Sequence, residues 1–192
     1  MGIRINADLA PGWVRDRLAG LTGTRWVGVD GFGASGKSTL ARRIAEVLPG
    51  SVIISIDDFA RGGLSGWDRE LFTTDVVEPL LRGRVARYRR WDLLADMPLG
   101  WAEVAVGVPV IVEGVSATDV RVGVPWDVTL WVDTPAEVRR ARILARDDPV
   151  LLERWHTDWW PSELAYAQAQ NPQDRVDAIV TSAAHGARPS TA

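Results

Sequence analysis

The sequence contains no cysteine among its 192 residues, which excludes disulfides, thiolate metal sites and a cysteine nucleophile. Histidine is almost missing too: His156 and His185 are the only two, and they stand apart from each other and from any candidate ligand. No apolar run approaches the roughly 20 residues that a membrane span needs. The first nine residues lack the basic head and apolar stretch of a secretory signal, so a cytoplasmic location and no membrane partner are expected. A formal charge of −3 supplies no overall basic field, which argues against nucleic acid as a partner. Lysine is the scarcest absence of all. Of 22 basic residues of the Lys and Arg type, Lys37 is the only lysine, and it lies in a glycine-rich segment. A codon preference for arginine would also thin out lysine, but this position is one where a slim, flexible ammonium suits a loop wrapped around an anion.

What is present fits one well-packed soluble domain: 46% hydrophobic and 24% charged residues, in a chain too short for two comfortable domains. Residues 7–21 carry Leu9, Trp13, Val14, Leu18 and Leu21 at helical spacing, with Asn6 or Asp8 as candidate cap. A strand is predicted over residues 25–30, a helix over 37–48 and a β-branched buried strand over 51–56. A glycine-rich loop follows at 62–66, then a helix over about 69–81 and a strand over 87–91. The stretch containing Pro98 and Gly100 reads as irregular. Apolar strands recur at 108–112 and 128–132, helices at about 135–147 and 149–169, and an edge strand at 178–180. Strands alternating with helices indicate an α/β domain with a parallel sheet, whose ligands sit beyond the carboxyl ends of the strands. Asp57, Asp58, Glu113 and the glycine loop are therefore expected in one crevice.

The segment Gly31-Phe32-Gly33-Ala34-Ser35-Gly36-Lys37-Ser38-Thr39 matches the Walker A pattern in its required context, after a strand and before a helix. Glycines let backbone N–H groups approach phosphate oxygens, the helix adds its positive end, Lys37 reaches the outer phosphates and the Ser38 hydroxyl suits Mg²⁺. ATP and Mg²⁺ are the implied ligands. Glu113 ends an apolar strand, which beside such a loop suits a carboxylate held near the metal; alone it would be a solvated strand end. Asp57 and Asp58 end another strand, where one carboxylate can accept a proton from an attacking hydroxyl and the other, by alternation, points elsewhere. Arg139, Arg142 and Arg146 fall at i, i+3 and i+7, one basic helix face that could close over a triphosphate or remain a solvated stripe. Arg87, Arg89 and Arg90 beside Trp91 either bind a substrate phosphate or form an exposed strand face. Trp155, Trp159, Trp160 and Tyr166 read as helix packing, with adenine stacking as the other use.

In their order, these segments resemble the uridine kinase-like branch of P-loop kinases, relatives of pantothenate kinase and phosphoribulokinase. Four stretches carry the likeness: residues 29–39, Ile56-Asp57-Asp58-Phe59, Ile111-Val112-Glu113-Gly114, and Asp133-Thr134-Pro135 running into Arg139, Arg142 and Arg146. The resemblance implies a three-layer α/β/α fold with a five-stranded parallel sheet and a helical lid at about residues 135–160. Residues 25–183 are then the kinase domain, on which the N-terminal helical segment (1–24) is expected to pack, and the small, polar tail (184–192) is expected to be disordered. The resemblance further implies Asp57 as catalytic base and neighbour of the magnesium, Glu113 beside that ion with Ser38, and Asp68 after Trp67 as a reader of acceptor hydroxyls. The pyrimidine-reading Tyr and His of uridine kinases have no full counterpart: Trp91 stands near the Tyr position, no His is nearby, and Ala60 replaces a Tyr. The triphosphate half of the pattern is intact and the acceptor half altered. The expected activity is ATP-dependent phosphorylation of a small-molecule hydroxyl, nucleoside-like first. Vitamin precursors, sugars, mononucleotides, antibiotics and a non-kinase switch are alternatives, and homo-oligomer formation stays open.

Overall fold

A computed structural model of the chain describes residues 2–61, 66–147 and 149–181. The expected tail at 184–192 and most of the expected loop at 62–66 lie outside the described residues. The elements follow in the order β1 (Ile3–Asn6), α1 (Ala10–Leu18), β2 (Arg25–Asp30), α2 (Lys37–Val47), β3 (Val52–Ser55), α3 (Arg69–Phe72), α4 (Glu78–Leu81), β4 (Ala86–Asp92), β5 (Met97–Val104), β6 (Pro109–Glu113), β7 (Val128–Asp133), α5 (Ala136–Arg146), α6 (Pro149–Arg154), α7 (Trp160–Gln170), α8 (Pro172–Arg175) and β8 (Ala178–Thr181). Wider π-helical turns at Thr73–Val77 and Trp155–Trp159 join α3 to α4 and α6 to α7, so both pairs run as continuous helical stretches.

Six strands form one wholly parallel sheet in the order β1-β8-β7-β2-β6-β3, one strand more than the five expected. The extra strand is β1, whose four residues are half exposed and too short to show a period. It takes the edge, so the expected edge strand β8 lies inside the sheet between β1 and β7. The predicted cap of α1 also differs: Leu9 holds the cap position without a side-chain bond, while Asn6 Oδ1 accepts the Asp8 N–H at 2.8 Å in a tight turn.

Alternation along the strands sends residues to opposite faces of the sheet. Val27, Val29, Ile111, Leu130 and Val180 face α1 and α2 through Val14, Leu40 and Ile44. On the opposite face Trp26, Ile54, Val110 and Val112 meet Phe59, Phe72, Val76 and Tyr88. The stretch containing Pro98 and Gly100 is not irregular but strand β5, paired antiparallel with β4 in a separate two-stranded sheet. Proline and glycine are tolerated there because β5 pairs on one side only and its outer face is exposed. The pairing of β4 with β5 shifts register between Arg90 and Trp91. Among the described residues no helix is long and apolar enough to cross a membrane.

Candidate active site

The parallel register brings the strand ends level. Glu113 pairs with Val29 on one side and with Ser55 on the other, so the glycine loop after β2, the carboxylate ending β6 and the acidic turn after β3 open at the same height. The loop itself depends on glycine at two points. Gly31 has φ of +146°, and a Cβ there would sit 2.7 Å from the Val132 carbonyl oxygen. A Cβ at Gly33 would lie 2.1 Å from the Trp155 ring. After them the loop is held by its carbonyls: Arg142 Nη1 donates to Ala34 O at 3.0 Å and Ser35 O at 3.3 Å, and Thr134 Oγ1 donates to Ser35 O at 2.8 Å. Ser35 Oγ is buried without a hydrogen-bond partner. Helix α2 begins at Lys37, so its unbonded first-turn amides and positive dipole end face the loop. This strand, glycine loop and helix define the phosphate cradle of a P-loop protein.

Lys37 is buried, and Nζ donates to Phe32 O at 2.8 Å. Burial lowers its pKa, while the carboxylates of Glu113, Glu163, Asp30 and Asp57 pull it back up. Ser38 Oγ lies 3.1 Å from both oxygens of Glu113. Burial raises the Glu113 pKa, opposed chiefly by Lys37. Asp57 sits on the 3₁₀ turn Ile56–Phe59, whose start is fixed by Ser55 Oγ accepting the Asp57 N–H at 3.3 Å. Its carboxyl keeps contact with solvent, yet the surrounding protein pushes its pKa up; Lys37 opposes this, Asp58 adds to it and Arg146 opposes it. Among the described residues no group of three or more His, Asp or Glu could hold a metal ion alone. A hydroxyl with one or two carboxylates fits Mg²⁺, a hard cation that binds through few protein oxygens and takes the rest from phosphate and water. Ser38 and Glu113 would hold it, with Asp57 alongside.

The two adjacent acids lie on a turn rather than at the end of a strand, and they point to different places. Asp58 is buried and turns toward the hairpin, where Arg90 Nε lies 3.3 Å from both its oxygens and Tyr88 Oη 3.4 Å away. Of the predicted acceptor-side residues, Asp68 caps α3 by accepting the Leu71 N–H at 2.9 Å. Trp91 carries the Arg61 guanidinium 4.3 Å above its ring and donates Nε1 to Asp96 Oδ1 at 3.0 Å. Arg89 stands on the outer face of the hairpin, its guanidinium 6.0 Å from the Trp101 ring centre. Strand alternation puts Arg90 on the same face as Tyr88, so Arg90, not Arg89, reaches the acidic turn.

The three arginines of α5 reach three different places. Arg139 is packed inward, 4.7 Å over the Phe32 ring, with Nε donating to Thr134 O at 3.2 Å. Arg142 grips the loop carbonyls, as above. Arg146 pairs with Asp147 and lies close enough to Asp57 to lower its pKa. Sequence reading missed two residues here. Glu163 of α7, 3% exposed, accepts the Gly33 N–H at 2.8 Å. Asp30 is fully buried and accepts five hydrogen bonds: from Gly31 N at 2.7 Å and Ser116 N at 2.9 Å through Oδ1, and from Thr118 N at 3.0 Å, Thr118 Oγ1 at 2.7 Å and Tyr166 Oη at 2.7 Å through Oδ2. Glu163 lies 130 positions from the loop it touches, and nothing local signals it. An aspartate inside an apolar strand, as in Val27-Gly28-Val29-Asp30, is the signal that could have found Asp30.

No protein-family model matches the chain. It is 28% identical over 137 residues to proteins named uridine kinase from Borrelia turicatae (strain 91E135) and from Borrelia hermsii (strain HS1 / DAH), an alignment covering 63% of this chain. The chain thus spans 66% of the length of these relatives. Its fold is shared with a protein described as a possible uridine kinase from Bacillus stearothermophilus, with a TM-score of 0.62 at 16% identity, covering 88% of this chain and 96% of the other. It is also shared with a protein provisionally described as a fructose transport system kinase from Silicibacter sp. TM1040, with a TM-score of 0.63 at 21% identity over 91% of this chain and 98% of the other. The two solved structures share their fold with this chain, and the two Borrelia uridine kinases are similar to it in sequence over part of its length.

Proposed function

We propose that the protein transfers the γ-phosphate of ATP to a hydroxyl group of a small molecule, a nucleoside-like acceptor first. The observation that carries this reading is the convergence of Lys37, Ser38, Glu113 and Asp57 at the level ends of β2, β6 and β3. Lys37 and the amides of residues 31–39 hold the phosphates. Ser38 and Glu113, with Asp57 beside them, would hold Mg²⁺, whose charge would neutralise that of the phosphates. Asp57 takes the proton of the attacking hydroxyl; the new bond from acceptor oxygen to phosphorus forms as the bond to the β-phosphate oxygen breaks, and ADP leaves. Arg146 already faces Asp57, and Arg139 and Arg142 reach the transferring group by turning from Glu163 and the loop carbonyls. Trp91, held by Arg61 and Asp96, and Asp68 form part of the acceptor wall, with Asp58 bracing the hairpin behind it.

The sugar-kinase description of one structural neighbour favours including sugars among the acceptors tried. ATP consumption by the purified protein, measured with Mg²⁺ across nucleosides, sugars, mononucleotides, vitamin precursors and hydroxylated antibiotics, tests the reading. One acceptor is expected to stimulate turnover well above background, and Asp57→Asn to reduce it on the order of 10²- to 10⁴-fold while ATP still binds. Turnover near that of the wild type in Asp57→Asn would remove Asp57 from the role of base.

A further inference from the structure

Glu163 is an unusual buried carboxylate. Groups of this kind are ordinarily fully bonded, because a charge withdrawn from water is otherwise costly. Here one oxygen, Oε1, has the Gly33 N–H, while Oε2 is buried with no hydrogen-bond partner. The nearest cation to Oε2 is Arg139 of α5, at 3.9 Å and beyond hydrogen-bond range. Lys37 from α2 adds attraction and Asp30 from β2 adds repulsion. A residue kept only to anchor α7 would gain more from a neutral side chain of the same shape.

The position of the bonded oxygen suggests a different use. Gly33 lies in the middle of a loop built to present amides to phosphate oxygens, and a carboxylate on such an amide is a chemical stand-in for one. The indole of Trp155 lies over the same glycine, so close that a Cβ there would overlap it. Trp155 Nε1 in turn donates to Asp147 at 2.7 Å, and Asp147 pairs with Arg146, the arginine that faces Asp57. Trp155, which lies over Gly33, and the catalytic-side arginine therefore belong to one bonded chain.

We infer that Glu163 is a further residue of the phosphate site, an internal competitor whose carboxylate and the γ-phosphate exclude each other at the Gly33 end of the loop. Bringing the terminal phosphate beside Lys37 sets like charges against each other, so the carboxylate must withdraw. Withdrawal frees Arg139 and lifts Trp155 from the loop. The inference rests on the nucleotide-site reading above and goes beyond it in assigning Glu163 a part in telling ATP from ADP, since only ATP carries the competing group.

Glu163→Gln keeps the shape and the carbonyl acceptor for Gly33 but removes the charge. Dissociation constants of wild type and variant for ATP and for ADP, each with Mg²⁺, are measured by titration calorimetry. The variant is expected to bind ATP about tenfold more tightly and ADP less than about threefold more tightly. Glu163→Ala, lacking both charge and bond, shows at least the same gain if the contact competes, and loses affinity if it braces the loop. Wild type that binds both nucleotides, with no ATP-selective gain in either variant, overturns the inference and leaves the nucleotide site standing. Wild type that binds neither overturns both.

Discussion

Replacing Asp30 by asparagine isolates the polar cluster beneath the glycine loop. The aspartate offers only acceptors, and five donors converge on it from the start of the glycine loop, the segment after β6 and α7. Asparagine has one acceptor oxygen and an NH₂ group. Placed at Oδ1, the NH₂ would face the Gly31 and Ser116 backbone amides, neither of which can turn around. Placed at Oδ2, it faces the Thr118 amide and the hydroxyls of Thr118 and Tyr166, and the hydroxyls can reverse to accept. The second arrangement is cheaper, so the variant loses one backbone bond outright, two bonds are remade as neutral ones, and the remaining two lose their charge. With hydrogen bonds to charged groups at about 1.5–3 kcal/mol each, the expected loss is about 3–5 kcal/mol. For a chain of this length that is on the order of 10 °C in Tm. Urea and thermal denaturation read it directly, with Tyr166→Phe as a milder control that removes one donor. A loss below about 1 kcal/mol for Asp30→Asn would refute the reasoning, because five short bonds in a dry site would then be nearly dispensable.

Two further outcomes follow from the same packing. Gly114→Ala should destabilise the fold by at least about 2 kcal/mol in urea denaturation, since φ is +146° and the new Cβ would lie 2.2 Å from Ile56 Cγ1; a stability within error of wild type would contradict the close approach of these two segments. Burial would raise the Asp119 pKa, but bonds from Arg121, Gln170 and Arg69 outweigh it and hold the carboxyl far below the usual range. A depressed carboxylate stabilises above its unfolded pKa of about 3.9 and loses that contribution as pH falls toward the folded value. The stability deficit of Asp119→Asn should thus be full at neutral pH and shrink below about pH 4, and a deficit that grows on acidification would reverse the sign of the argument.

The sequence was most legible where local pattern and chemistry coincide. The glycine loop, its single lysine, the apolar run leading to Asp57 and the apolar strand ending in Glu113 all announce themselves, because parallel strands are continuous β-branched runs and loops that grip anions need glycine. Strand β1 was invisible because four half-exposed residues carry no period. Strand β5 was hidden by Pro98 and Gly100, which matter little on an exposed hairpin edge. The choice of Arg90 over Arg89 follows from alternation with Tyr88, and nothing in residues 87–91 alone says which of the two faces turns inward. Glu163 and Trp155 reach the glycine loop through the packing of a distant helical stretch. Periodicity placed them on helices and gave no direction to what they face.

The central claim, phosphoryl transfer at the crevice formed by Lys37, Ser38, Glu113 and Asp57, is tested most directly by phosphorus NMR of ATP, Mg²⁺, the protein and an acceptor that stimulates ATP consumption. The account predicts a new phosphate monoester signal on the acceptor, appearing in step with ADP, and its absence with Lys37→Ala. ADP accompanied only by inorganic phosphate would contradict it, since water would then be the acceptor and the protein a nucleotide hydrolase.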